Sequence, residues 1–354
     1  MVPFENAGAC AGVPRSGYEM HDVVVVGAGP VGLACAIEAK REGLRPLVID
    51  KGALVNSLVG YPARMEFFST PELIEIGGYP FPVQGYKPMR EDAIEYYRGV
   101  AAQEKLEICL YERVTGVEGT LDDFTLTTDR GEHRARHVVA SIGFFDQPNL
   151  LDVPGADLPK VTHYYREPYG YVRQQVAVIG ARNSAAKAAL DCYRHGSEVT
   201  LVVRGPALSD KIKYWIKPDL ENRIKEGSIK AHFNTAVASI EPDSITLATP
   251  DGEVRVSNQW VLAMTGYHPD YTFLEGVLGI AIDHDPARTP IFDAATFETS
   301  RPGVYLAGTV CGGYATGRWF IENGRFHARQ IARHIAHGSR ERVPFERIHW
   351  KTEE

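Results

Sequence analysis

Apolar positions along the chain fall into two recurring blocks. Asp22-Val-Val-Val-Val26 is an unbroken β-branched run bounded by glycine, the pattern of a strand buried on both faces of a parallel sheet. Gly32 to Glu42 places small and apolar residues at helical spacing and stops at Gly43, and Leu47-Val-Ile-Asp50 reads as a second strand. Strand, helix and strand within about 30 residues make one βαβ unit. The same order returns at Gln175–Ile179, Ser184–His195 and Val199–Val203, with Gly196 as the helix stop. Two such units predict an α/β chain with two nucleotide-binding folds. Further strands are expected at 107–111, 124–127 and 136–141, then at Trp260–Met264 and Gly303–Leu306, each of the last two running close to glycine. The final helix, Ile321 to His337, is amphipathic.

Composition narrows the function. The 354 residues carry 38 Lys and Arg against 45 Asp and Glu, a net charge of −7, which disfavours a nucleic-acid surface. Val23 to Val26 is the longest aliphatic run, far below the roughly 18–20 residues of a membrane helix. The five cysteines, Cys10, Cys35, Cys109, Cys192 and Cys311, include no C-x-x-C pair and no metal-binding spacing, so free thiols and no metal are expected. Residues 1–20 lack periodicity and read as a flexible extension without the apolar core of a signal peptide, consistent with a cytoplasmic protein.

Candidate chemistry sits at the glycines. Gly27-Ala-Gly29-Pro30-Val31-Gly32 joins the first strand to its helix as G-x-G-x-x-G. Its glycines allow a tight turn, close approach of backbone to a pyrophosphate, and helix-to-strand packing, and the helix N-terminus offers free N–H groups. Asp50 ends the second strand, where a carboxylate accepts from ribose hydroxyls. The second motif, Gly180-Ala-Arg182-Asn183-Ser184-Ala185, has Arg182 for the middle glycine, with Asn183 and Ser184 as hydrogen-bond donors at the helix start. Its second strand ends in Arg204 rather than an acid, which favours the 2′-phosphate of NADPH, with Lys211 and Lys213 close downstream.

Taken together, Gly27–Gly32, Asp50, the Gly180 motif and Gly303-Val-Tyr-Leu-Ala-Gly308-Thr309 before a terminal helix resemble FAD and NADPH flavoproteins of the thioredoxin-reductase type. Closer matches, Val55-Asn56-Ser57, Tyr61-Pro62, Phe67-Phe68-Ser69, Ile76-Gly77, Lys87-Pro88, Tyr96-Tyr-Arg98, Asn183-Ser-Ala185, Gly266-Tyr-His-Pro-Asp-Tyr271 and Phe320-Ile-Glu-Asn-Gly324, resemble the bacillithiol-disulfide reductase family. The resemblance implies two Rossmann-like domains of the three-layer ββα kind, a discontinuous FAD domain over 21–155 and 273–354, an NADPH domain over 156–272, and a homodimer. It also implies flavin contacts from Gly27, Gly29, Pro30, Gly32, Asp50, Lys51, Asn56, Ser57, Phe68, Ser69, Val114, Gly143, Gly308 and Thr309. Nucleotide contacts are expected from Gly180, Arg182, Asn183, Ser184, Arg204 and Gly266.

Two departures from that family stand out. Val31 occupies the place of the family's proposed active cysteine, and Thr309 that of the aspartate usual in the wider thioredoxin-reductase superfamily. A valine forms neither thiolate nor mixed disulfide. Cys311 and His268 are then the candidate catalytic residues, the first as a thiol beside the Gly308 turn and the second as a proton donor. The expected acceptor is a low-molecular-weight disulfide such as bacillithiol disulfide. Ferredoxin, quinone or oxygen, or a weakly active redox-sensing flavoprotein, remain open alternatives.

Overall fold

The computed structural model describes residues 19–344. The chain opens with β1 (Met20–Val26), α1 (Pro30–Arg41) and β2 (Pro46–Asp50). Two short helices, α2 (Asn56–Gly60) and α3 (Pro71–Ile74), lead to α4 (Arg90–Gln103), then β3 (Ile108–Leu110). A meander follows, β4 (Val114–Thr120), β5 (Asp123–Thr128) and β6 (Glu132–Ala140). Next come β7 (Val161–Thr162), β8 (Gln175–Ile179), α5 (Asn183–Arg194), β9 (Glu198–Val202), α6 (Lys217–Lys225) and β10 (Ile229–His232). A second meander, β11 (Ala236–Glu241), β12 (Ser244–Thr249) and β13 (Gly252–Ser257), precedes β14 (Trp260–Ala263). Last are β15 (Val304–Leu306), a single 3₁₀ turn over Gly308–Gly312 and α7 (Ile321–His337).

The described residues divide into two compact units, one of 19–59, 64–147 and 268–344, the other of 60–63 and 148–267. The first holds a seven-stranded sheet in the order β3-β2-β1-β6-β5-β4, with β15 also paired to β6. Its long strand β6 belongs to two layers of pairing. Glu132–Ala135 runs antiparallel to β5, whereas Val138–Ala140 lies parallel between β1 and β15. Val24 and Val25 of β1 are wholly buried, as the continuous apolar run requires.

In the second unit a parallel sheet, β10-β9-β8-β14-β7, stands beside the separate β11-β12-β13 meander. Alternation along β8 divides the core. Val176 and Val178 pack with the alanines of α5 and with Leu220 of α6, while Ala177 and Ile179 pack with Ile240, Ile245 and Leu247 of the meander. Helices on one face and a meander on the other give three layers, so the α/β, Rossmann-like expectation holds.

The second meander went unassigned on sequence, although Ile245-Thr-Leu247 and Val254-Arg-Val256 alternate around the turn residues Pro250-Asp-Gly252. So did α4, whose buried Ala93, Tyr97, Val100 and Ala101 have helical spacing. One thiol expectation is corrected. Cys109 is disulfide-bonded, which the spacing of the cysteines along the chain does not report. Cys35, Cys192 and Cys311 are free and buried, whereas Cys10 lies outside the described residues.

A buried ammonium pins the second unit's layers. Lys160, just before β7, donates to the Ser244 carbonyl at 3.0 Å and to Asn258 at its carbonyl (3.3 Å) and Oδ1 (2.7 Å). Lys160→Met keeps the apolar stem and orphans these buried acceptors. It is expected to lower stability by about 1–3 kcal/mol in urea unfolding followed by circular dichroism; an unchanged midpoint would make the ammonium dispensable.

Candidate functional site

In the first unit the glycine motif lies where β1 ends and α1 begins. Pro30 takes the first helical position and Gly29 the N-cap, with φ −72° and ψ 173°, a conformation open to any residue. A Cβ on Gly29 would meet no heavy atom within 4 Å, so the space before this helix end is an open cradle. Gly32 is different. A Cβ there would lie 1.9 Å from the Gly27 carbonyl oxygen, because the helix backbone packs directly on the turn.

Asp50 closes the cradle from the side. Its Oδ2 accepts the Ala28 N–H and its Oδ1 the Gly52 N–H, both at 2.7 Å. Burial raises its pKa, and the two backbone donors only partly offset that. Each oxygen keeps a further lone pair for a hydroxyl. Val55 donates its N–H to the Ala28 carbonyl at 3.0 Å, which ties the start of α2 to the same turn. Asn56 accepts from Ala53 at 3.3 Å, Lys51 pairs with Asp146 at 2.8 Å, and Ser57 follows Asn56 on α2, partly buried.

A second wall comes from the return of the chain. Gly308 follows β15 with φ +82°, in the left-handed region, and a Cβ there would meet Val31 at 3.2 Å. Gly324 of α7 closes on the same valine at 3.3 Å, and Thr309 Oγ1 lies 3.7 Å from the Cβ position of Gly143. His327 Nδ1 accepts the Gly308 N–H at 3.1 Å. Sequence reasoning missed this histidine, and its one signal was a polar residue on the apolar face of α7. Gly27–Gly32, Asp50, Gly143, Gly308 and Thr309 thus share the carboxyl ends of parallel strands, the usual ligand edge of such a sheet. Phe68 is partly exposed, Ser69 donates to Glu322 at 2.8 Å, and buried Val114 starts the first meander opposite Thr128.

Cys311 sits in the 3₁₀ turn with no exposed surface, and burial pushes its thiol pKa up. The same holds for Cys35. His268 is partly buried, stacks on Tyr271 at 5.9 Å between ring centroids and meets Tyr314 at a tilt at 5.3 Å. Its Nδ1 lies 2.8 Å from the Pro269 carbonyl. A carbonyl only accepts, so Nδ1 carries the proton of that hydrogen bond. Cys109, Glu112 and His133 form a cluster with metal-ligating atoms within 4.8 Å. There Glu112 accepts from Thr128 Oγ1 and pairs with His133 Nε2, each at 2.7 Å, and the Cys109 sulfur is held in its disulfide.

In the second unit, Gly180 turns from β8 with a Cβ position 2.6 Å from the Met264 carbonyl. Arg182 caps α5 and is exposed, as are Ser184 and Arg204. Asn183, expected as a free donor, is otherwise engaged. Its Nδ2 donates to the Lys211 carbonyl at 3.0 Å and its Oδ1 accepts the Lys213 N–H at 2.9 Å. The side chain therefore fastens the basic 209–213 loop over the motif. Gly266 follows β14 with φ +91°, near Asn149.

Residues 24–308 match the family described as pyridine nucleotide-disulphide oxidoreductase. The chain belongs to that family. It is 39% identical to bacilliredoxin reductase Bdr of Bacillus subtilis (strain 168), over 88% of this chain and 97% of that protein. Among solved structures, bacillithiol disulfide reductase Bdr (YpdA) from Bacillus cereus superposes with a TM-score of 0.88 at 37% identity, covering 91% of this chain and all (100%) of that one. The Staphylococcus aureus protein of the same description gives 0.86 at 38%, covering 89% of this chain and 98% of that one. The chain is therefore an oxidoreductase with the thioredoxin-reductase-like fold. Among the described residues no helix is long and apolar enough to cross a membrane.

The two glycines of the first motif separate by measurement. Gly32→Ala is expected to lower the thermal midpoint steeply, since its Cβ would meet a backbone oxygen that cannot yield. Gly29→Ala is expected to leave the midpoint of the cofactor-free protein within error, its space being empty. Equal midpoints for the two variants would contradict the packing at Gly32.

Proposed function

We propose that the chain is an FAD-dependent oxidoreductase that draws reducing equivalents from NADPH and delivers them to a low-molecular-weight disulfide such as bacillithiol disulfide. The observation that carries this reading is the 39% identity along 97% of the Bacillus subtilis bacilliredoxin reductase. FAD, when bound, supplies the two-electron chemistry between nicotinamide and acceptor. The open cradle at Gly29 and the amides that begin α1 suit its pyrophosphate. Asp50 accepts a ribose hydroxyl, and Gly308 with Thr309 lines the ribityl side. In the second unit, Arg182 and the amides of α5 hold the NADPH pyrophosphate, while Arg204 and Lys211, both exposed, neutralise the 2′-phosphate.

At the acceptor, Val31 offers no thiol, and the free thiols at Cys35, Cys192 and Cys311 are buried with raised pKa values. Burial of that kind disfavours the thiolate a relay needs. The disulfide is therefore reduced without a protein mixed disulfide, and His268 protonates the departing thiolate. A second reading, transfer to ferredoxin, quinone or oxygen, is favoured by that same valine, since these acceptors need no cysteine.

Anaerobic NADPH oxidation with bacillithiol disulfide, a quinone and ferredoxin in parallel tests the reading. Turnover with the disulfide is expected; flavin that is reduced by NADPH but not reoxidised by any disulfide would rule that acceptor out. Iodoacetamide treatment of the NADPH-reduced enzyme is expected to leave turnover unchanged, and loss of activity would return the role to a thiol such as Cys311. Arg204→Glu is expected to raise KM for NADPH by about 10-fold or more and shift preference toward NADH. Unaltered NADPH kinetics would remove Arg204 from the 2′-phosphate site.

A further inference from the structure

The Gly308 turn is gripped from two sides. Ala307 donates its N–H to the Ala140 carbonyl at 3.0 Å, and Gly308 donates to His327 Nδ1 at 3.1 Å. Accepting a backbone N–H requires a lone pair on Nδ1, so the imidazole is neutral with its proton on Nε2. Aromatic walls enforce that state. His327 is 2% exposed, stacks on Phe297 at 3.9 Å between centroids and meets Trp319 edge-on at 4.4 Å. Burial lowers its pKa to about 3. Cys311 Sγ lies 3.9 Å from the same Nδ1, a weak neutral donor that leaves the acceptor role intact. One turn earlier on α7, a Cβ at Gly324 would lie 3.1 Å from the Gly308 Cα, so the histidine approaches on a helix already in backbone contact with the turn.

We propose that His327 is a positioning residue for the flavin: its imidazole sets the Gly308 peptide, and through it Thr309, in the orientation that receives the cofactor. The inference rests on reading that turn as flavin-facing. Gly308 is buried and its left-handed φ is accessible to glycine together with neighbouring peptide orientations. Without an acceptor its buried N–H is unsatisfied, and the peptide rotates toward another partner. Rotation moves the Thr309 N–H and hydroxyl away from Gly143, and the wall facing the Gly29 cradle loses its shape.

Two substitutions isolate the acceptor. His327→Leu removes it, whereas His327→Asn keeps a carbonyl oxygen near the place of Nδ1. Two readouts are needed, the dissociation constant of added FAD from the apoprotein and the hydrogen-exchange rate of the Gly308 amide without FAD. The leucine variant is expected to bind FAD about 10-fold or more weakly and to exchange Gly308 faster, and the asparagine variant to recover most of both. Wild-type FAD affinity in the leucine variant, with accelerated exchange at Gly308, would overturn the proposal. Equal impairment of leucine and asparagine would also overturn it, pointing to the shape of the aromatic box alone. Where leucine fails to fold, asparagine against glutamine asks the same question, since glutamine places its oxygen near Nε2 instead. Failure of the wild-type apoprotein to bind FAD would sink the flavin reading itself, a result separate from the exchange rate at Gly308.

Discussion

The first unit is organised by a contact in which three backbones come together around one small side chain. Val31 on α1 fills the gap left by Gly308 after β15 and Gly324 on α7, at 3.2 and 3.3 Å from the Cβ positions those glycines lack. The segments are remote in sequence and meet because β15 joins the sheet beside β6, which itself lies against β1. A larger residue at any of the three would push a helix off the sheet edge. Close packing tolerates little change of volume. The open space at Gly29 exists because everything around it is closed: Gly32 on Gly27, Gly308 on Val31, and Asp50 on the Ala28 and Gly52 amides.

That arrangement explains which parts of the fold were legible in the sequence. The strands of the parallel sheets are buried on both faces, so Asp22–Val26 and Gln175–Ile179 appear as continuous apolar runs, and β8 has the expected bounds. The helix at α1 begins two residues before the expected Gly32, because Pro30 serves as a first helical residue rather than as a breaker. The meanders were harder. Strands such as β13, mostly exposed along Gly252–Ser257, have no apolar run to announce them, and only the turn residues before them do. Contacts joining distant segments were not legible at all. Lys160 with Asn258, and Gly308 with His327, depend on which strands become neighbours, and no local spacing encodes that.

The two nucleotide motifs differ in what their helix starts present. In the first, Gly29 leaves bare amides and empty space, which favours a ligand brought against backbone. In the second, Arg182 occupies the equivalent position and Asn183 is spent on the backbone of the loop at Lys211 and Lys213. That helix start presents exposed cations rather than bare backbone. Side chains of that kind hold a charged ligand with less enclosure and stronger dependence on salt.

Position 31 draws these strands together. A thiol there would sit between two glycines, in a gap that accepts a valine without strain, and cysteine is the smaller of the two side chains. Folding therefore does not decide between them. The valine adds apolar contact on Gly308 and Gly324 and withholds the one thiol position adjacent to the Gly308 turn, whereas Cys311, two residues beyond Thr309, is sealed beneath the turn against His327. Burial that stabilises the neutral imidazole also stabilises the neutral thiol, since both charged forms lose solvation in the same apolar box. The interior that fixes the Gly308 turn is thus the interior that keeps the Cys311 thiol neutral.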